Sequence, residues 1–245
     1  MDTNNERLEI NVDGASMGAY LVRPDGDDPC PGILLFMEVF GINEHIRSVA
    51  DRVAAEGYVV MAPDVFHRSA PGIELEYDEQ GLGKGVELMS QVTATELLAD
   101  IRAALDTLGA RTDVGGRGVG TMGFCFGGHA AYLAACEFPI AATASFYGGG
   151  VAVAAPGEEP PPTVERTSGI GGKVLCLFGE NDDYIPLDQV DTVRAALEKG
   201  GVEHEVVVYP GVGHGFFCDA RDSYDAESAA DAWARVTGLF ASELA

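Results

Sequence analysis

The chain has 245 residues, 47% of them apolar, and a formal net charge of −24. That length and apolar share can build a full core for a single α/β domain. A surface this acidic repels a phosphate backbone, and no apolar run is long enough to span a bilayer, so nucleic-acid binding and membrane insertion are both disfavoured.

In chain order, LEINV and GAYLVRP read as a hairpin leading into the fold. ILLFME (33–38) is a short apolar run of the kind that forms a buried parallel strand. NEHIRSVADRVAAEG follows as a helix, with Ile46, Val49, Val53 and Ala54 on one face and Gly57 suited to its C-terminal cap. YVVMAPDVF is the next strand. TATELLADIRAALDTLGA is a helix, with Leu97, Leu98, Ile101, Leu105 and Leu108 aligned. GRGVGTMGF reads as strand and GGHAAYLAACE as helix; IAATASFYG and KVLCLFGE read as strands. LDQVDTVRAALEKGG is a helix, EHEVVVYPG a strand, and the stretch from Ser228 to Ala245 a final helix. Repeated β-α-β units predict one α/β domain over residues 1–245, a mostly parallel sheet with helices on both faces. The Gly- and Pro-rich stretch 148–172 interrupts the pattern and reads as an irregular, solvent-exposed loop; a flap over a site is the other reading.

The N-terminus, MDTNNERLEI, has neither the basic nor the apolar segment of a signal peptide, which points to a cytoplasmic protein. Acids are spread along the whole chain against three lysines, Lys84, Lys173 and Lys199. That balance resembles the composition of halophilic proteins, whose salt-rich cytoplasm screens self-repulsion. The five cysteines, Cys30, Cys125, Cys136, Cys176 and Cys218, form no close pair and suit neither a disulfide framework nor a zinc site.

The stretch that carries chemistry is Gly123-Phe124-Cys125-Phe126-Gly127. It is G-x-C-x-G between a strand and a helix, a nucleophile elbow with sulfur in place of oxygen. The turn leaves no room for side chains beside the nucleophile, hence the glycines. The following helix N-terminus offers unpaired N–H groups and a positive end that favour a thiolate. Gly118, Gly120 and Gly123 also spell G-x-G-x-x-G, but no Lys-Ser/Thr follows and the elbow accounts for the region better. In elbow hydrolases the order is nucleophile, acid, histidine. Asp182, in FGENDDYIP, and His214, in YPGVGHGFF, each follow a strand in that order. Cys125, Asp182 and His214 therefore form a candidate triad: His214 takes the thiol proton and Asp182 orients the ring. Glu38, at the end of the first buried strand, is placed to bond the cysteine or an arginine.

These residues resemble the dienelactone hydrolases (carboxymethylenebutenolidases) of the α/β-hydrolase superfamily, from about Gly18 to the last helix. The likeness rests on MEVFGIN, APDVFHRSAPG, GFCFGGHAA, GENDDYIP and YPGVGHGFF. It implies an α/β-hydrolase fold and a cysteine enzyme that cleaves a small lactone or ester through a thioester. It also implies that Glu38 holds the resting cysteine, that Val39 and Phe126 supply the two backbone N–H groups of an oxyanion hole, and that Arg68 and Tyr147 meet the substrate. No metal or cofactor is implied, and the expected partner is the small-molecule substrate, on a monomer or small homo-oligomer. The pattern departs after His214. Enzymes acting on dienelactone carry a serine next and an arginine three residues later, whereas this chain has Gly215 and Cys218, with Arg221 three residues further on. Two other readings remain open: a non-hydrolytic fold relative that binds a ligand, and a redox-sensing thiol protein built on Cys125.

Overall fold

The computed structural model describes residues 1–26, 28–154 and 161–244, the side chains of 116 and 117 excepted. Strands β1 (Thr3–Val12) and β2 (Ala15–Pro24) form the expected hairpin, closed by Asp13 and Gly14 at φ 51° and 87°. Positive φ at both central residues is what a two-residue hairpin turn requires. β2 pairs antiparallel with β4 (Val59–Pro63). From β4 the sheet runs parallel through β3 (Cys30–Phe36), β5 (Val114–Phe124), β6 (Ile140–Phe146), β7 (Lys173–Gly179) and β8 (His204–Tyr209), giving the order β1-β2-β4-β3-β5-β6-β7-β8.

Helices cover both faces. α1 (Glu44–Ala55) is capped by the Asn43 side chain, which accepts from the Ile46 N–H at 3.2 Å. α3 (Ala94–Gly109) starts with a capping box, in which Thr93 and Glu96 each accept from the other's backbone N–H at 3.2 Å. α4 (Phe126–Glu137) follows β5 directly, and α6 (Ala226–Glu243) closes the chain. Gly120 faces Phe240 and Leu244 at the α6 end, while the neighbouring Thr121 reaches the Ala131 carbonyl of α4. Successive strand residues point to opposite faces, so α4 and α6 lie on opposite sides of the sheet. α3 packs beside α4, and Arg52 of α1 lies 4.2 Å from the centroid of the Trp233 ring of α6, which pairs the helices on each side. β3, β4 and β7 are buried along nearly their whole length, as a sheet covered twice requires. This is the α/β-hydrolase architecture expected from the sequence. Among the described residues no helix is long and apolar enough to cross a membrane.

Two expectations need correction. Residues 79–89, which the hydrophobic pattern did not mark, form a helix, α2 (Glu79–Met89), capped by Asp78. Its three glycines depress helix propensity and hide the apolar row Leu82, Val86, Met89. The stretch 148–172 is not simply an exposed loop. It contains a 3-10 helix (Thr163–Gly169) whose Thr163, Val164 and Thr167 are buried, and Gly149, Gly150 and Ala154 border a cavity. Residues 155–160 of that stretch lie outside the described residues. A further helix, α5 (Leu187–Gly200), packs on the 3-10 helix.

The capping box makes a prediction for the scaffold alone. Thr93→Ala should lower the free energy of unfolding by about 1 kcal/mol in a urea titration while leaving the reactivity of Cys125 unchanged. An unaltered midpoint would show that the cap contributes nothing.

Candidate active site

The carboxyl ends of four parallel strands converge: β3 leads to Glu38 and Val39, β5 to Cys125, β7 to Asp182 and β8 to His214. Open α/β sheets build their sites on that edge. Cys125 is the turn between β5 and α4, at φ 54° and ψ −117°. A side chain in that region is strained, and the surroundings hold it there. The Cys125 N–H donates to the Phe146 carbonyl at 3.0 Å, and the Cys125 carbonyl accepts from the His129 N–H at 3.2 Å. The flanking glycines have a steric cause. A Cβ on Gly123 would sit 2.0 Å from the Gly127 oxygen, and one on Gly127 would sit 2.2 Å from the Phe36 oxygen. Any side chain at either position would push α4 off the sheet.

Asp182 is buried, and its carboxylate is fully used. Oδ1 accepts from the Tyr184 and Ile185 N–H groups at 2.9 and 3.2 Å, and Oδ2 faces His214 Nδ1 at 2.8 Å. The other edge of the His214 ring is left for Cys125, whose sulfur is close enough to act on the ring electrostatically. Burial opposes a charge on this ring, but the Cys125 sulfur and the Asp182 carboxylate outweigh it and push the His214 pKa up to about 10. Tyr147 stands behind the histidine, its ring centroid 4.9 Å away, rather than bordering the cavity. Its hydroxyl is buried without a hydrogen-bond partner among the described residues.

Glu38 is fully buried, and its two oxygens accept from Tyr77 Oη at 2.8 Å and Arg221 Nη1 at 3.2 Å, not from Cys125. The arginine that follows His214, Arg221, is thus turned to Glu38. Gly215 makes this possible: its φ is 80°, and a Cβ there would meet Arg221 Nη1 at 2.6 Å. The guanidinium also lies 5.7 Å from the ring centroids of both Phe40 and Tyr77. Burial and the adjacent Glu38 push the Tyr77 pKa upward, so the phenol stays a donor.

Arg68 is placed elsewhere. Its guanidinium binds the buried Asp100 at 2.8 Å, an acid that also holds His67 at 3.1 Å, and it does not border the cavity. The resemblance assigned it to substrate, but its strand end faces α3 instead. Glu38, His45 and Cys218 bring three donor atoms within 4.8 Å of one another. Arg221 already places a positive charge on that carboxylate, and burial, with Glu38, pushes the Cys218 thiol up to about 11. That chemistry suits a protonated thiol beside an ion pair better than a bound cation.

Next to Cys125 lies a cavity of about 370 Å³, bordered by Val39, Phe126 and His214 and roofed by Leu82, Val86 and Met89 of α2. Sequence reasoning missed these three; their i, i+4, i+7 spacing was the available signal. α2 sits close because a Cβ on Gly85 would lie 2.4 Å from the Val39 oxygen. Val39 and Phe126 border the same cavity as Cys125. The Phe126 N–H opens α4, where first-turn amides have no partner within the helix.

Comparison with known proteins identifies the family. The dienelactone hydrolase family matches residues 17–244. A protein of Synechocystis sp. named "Putative carboxymethylenebutenolidase" is 41% identical over 244 residues, covering 100% of this chain and 99% of that one. An Escherichia coli K12 protein of the same name is 34% identical, over 94% of this chain and 84% of its own. A crystal structure from Klebsiella pneumoniae, titled "Putative Dienelactone Hydrolase", superposes with a TM-score of 0.87 at 33% identity, covering 98% of this chain and 99% of that chain.

Two measurements test the electrostatics. In an NMR titration, wild-type His214 should keep its proton until about pH 10. In Cys125→Ala the largest influence raising the His214 pKa is gone, burial weighs more, and the midpoint should fall well below 10; an unchanged midpoint would mean that Cys125 does not act on the ring. Arg221→Met should destabilise the fold by about 3 kcal/mol by leaving Glu38 buried and unpaired. Adding Glu38→Gln to that variant should recover most of the loss, and an additive double mutant would show that the two side chains are not coupled.

Proposed function

Since the chain belongs to the dienelactone hydrolase family, whose named members are hydrolases of lactones and esters, we propose that it cleaves its substrate with Cys125 as nucleophile. The observation that carries this reading is the Asp182–His214 pair at 2.8 Å, set on the same cavity as Cys125, with Glu38 already engaged by Tyr77 and Arg221.

The chemistry follows from the charges. The thiol proton passes to His214, whose charged form Asp182 stabilises. The sulfur attacks the carbonyl carbon; the S–C bond forms and the carbonyl π pair moves onto oxygen. That oxyanion is received by the Val39 and Phe126 N–H groups, each worth about 3 kcal/mol in comparable sites. Collapse breaks the C–O bond, and the departing alkoxide takes the His214 proton. Cys125 is then a neutral thioester. With the sulfur's charge gone, the strongest influence holding a proton on His214 is gone too, so the ring is free to accept one from water. Hydroxide adds to the thioester, the C–S bond breaks, and the acid leaves with thiolate and imidazolium restored. Acylation of the sulfur thus converts His214 from acid to base at the step that needs it.

The redox reading is less well supported. Its resolving thiol would be Cys218, which is buried, with its pKa pushed up to about 11, and makes a poor nucleophile at neutral pH. A purely binding role gives no reason for an intact relay. We further propose a reducing, salt-rich cytoplasm as the setting, supported by five unpaired cysteines and a charge of −24.

The test is hydrolysis of p-nitrophenyl acetate, a neutral lactone and cis-dienelactone by wild type, Cys125→Ala and His214→Ala. Wild type should turn over at least one of them, and Cys125→Ala should lose at least a thousandfold, in line with removal of a nucleophile. His214→Ala should accumulate an acyl adduct on Cys125, detectable by intact mass. Equal rates in wild type and Cys125→Ala would refute the assignment.

A further inference from the structure

The wall of the cavity carries more information than the triad. Three side chains of α2, Leu82, Val86 and Met89, face Phe126 and Ala154 across it, with Phe40 beside them. The apolar character continues outward: Val86 and Tyr184, both on the rim, are 44% and 62% exposed, among the most exposed large apolar side chains of the described residues. The fixed cation that borders the cavity is Arg221, and its charge is already matched by the fully buried Glu38. The ring nitrogens of His129, which also borders the cavity, are both committed, to the Gly149 carbonyl at 2.8 Å and Thr163 Oγ1 at 2.7 Å. Among the described residues that border the cavity, a carboxylate on the substrate would find no free cation and would have to take Arg221 from a buried anion.

The direction of the substrate follows from the relay. The leaving alcohol must face His214, which protonates it, and Tyr184 borders that side with its ring 5.1 Å from the imidazole. α2 borders the rest of the cavity, where a Cβ on Gly85 would meet the Val39 carbonyl oxygen at 2.4 Å. With the leaving alcohol beside His214 and Tyr184, the lining left to the acyl group is the apolar row of α2 with Phe126 and Ala154.

We infer that the substrate is a neutral ester or lactone whose acyl part is apolar and rests on Leu82, Val86 and Met89, not a carboxylate-bearing lactone. This rests on Cys125 as the nucleophile. Each methylene moved from water onto that wall should raise kcat/KM about fourfold until the cavity is filled.

The experiment uses two pairs of p-nitrophenyl esters in 1 M KCl, where the general field of the acidic surface is screened to about 3 Å. The acetate and butyrate differ in chain length; the methyl glutarate and hydrogen glutarate differ in one negative charge. Butyrate should exceed acetate by about fifteenfold, and methyl glutarate should exceed hydrogen glutarate by about tenfold or more. Val86→Arg, at a rim position whose exposure spares the core, should shift the second ratio toward the anion by about fivefold or more. Hydrogen glutarate as fast as its methyl ester in wild type, or no gain from acetate to butyrate, would overturn the inference. If no ester is cleaved and mass spectrometry finds no acyl group on Cys125, the nucleophile assignment fails and takes this inference with it. Acyl-Cys125 with the wrong selectivity overturns the inference alone.

Discussion

The site depends on one strained residue. Cys125 holds a left-handed backbone that costs a side-chain-bearing residue about 1–3 kcal/mol, and it persists only because its neighbours leave no alternative. Its N–H is bound to β6 and its carbonyl to α4, and two glycines let α4 close against β3 at distances that exclude a Cβ. The same closure lifts the sulfur above the sheet edge and turns the first amides of α4 toward it. The partners then need no special chemistry to arrive. Asp182 and His214 leave the ends of β7 and β8 by short loops, and Val39 leaves the end of β3.

Around that sulfur the charges are sorted into two closed sets. One is Cys125, His214 and Asp182; the other is Glu38, Arg221 and Tyr77. In the second set the Glu38 carboxylate and the Arg221 guanidinium cancel, so the fixed cation that borders the apolar cavity is compensated. Buried ion pairs add little net stability but are costly to break, which gives the arrangement its rigidity. The resemblance to dienelactone hydrolases implied a glutamate bonded to the resting cysteine. Here the glutamate is occupied by an arginine that reaches it over Gly215.

Much of this was legible before any coordinates. Buried parallel strands and amphipathic helices declare themselves by period, and the elbow by its glycines and its place between strand and helix. What escaped had identifiable reasons. α2 was hidden because glycines that permit its close approach to Val39 also erase its helical propensity. The 3-10 helix at Thr163–Gly169 lay within a Pro- and Gly-rich stretch whose composition says loop, yet its Thr and Val side chains are buried, with Tyr132 and His129 of α4 bonded to Thr167 and Thr163. Arg68 was misassigned because a long side chain at a strand end has several acids in reach, and burial gave it Asp100.

By itself, the sequence determined the α/β class, the order of the strands along the chain and the residues that stand at their carboxyl ends. Those follow from local spacing and turn chemistry, which act over a few residues. Only the tertiary structure decided which arginine meets Glu38, a contact between residues 183 apart, and what kind of wall the substrate faces. Both depend on how distant loops and α2 are set against the sheet, and the reach of a guanidinium or the exposure of a leucine is defined only once that packing is complete.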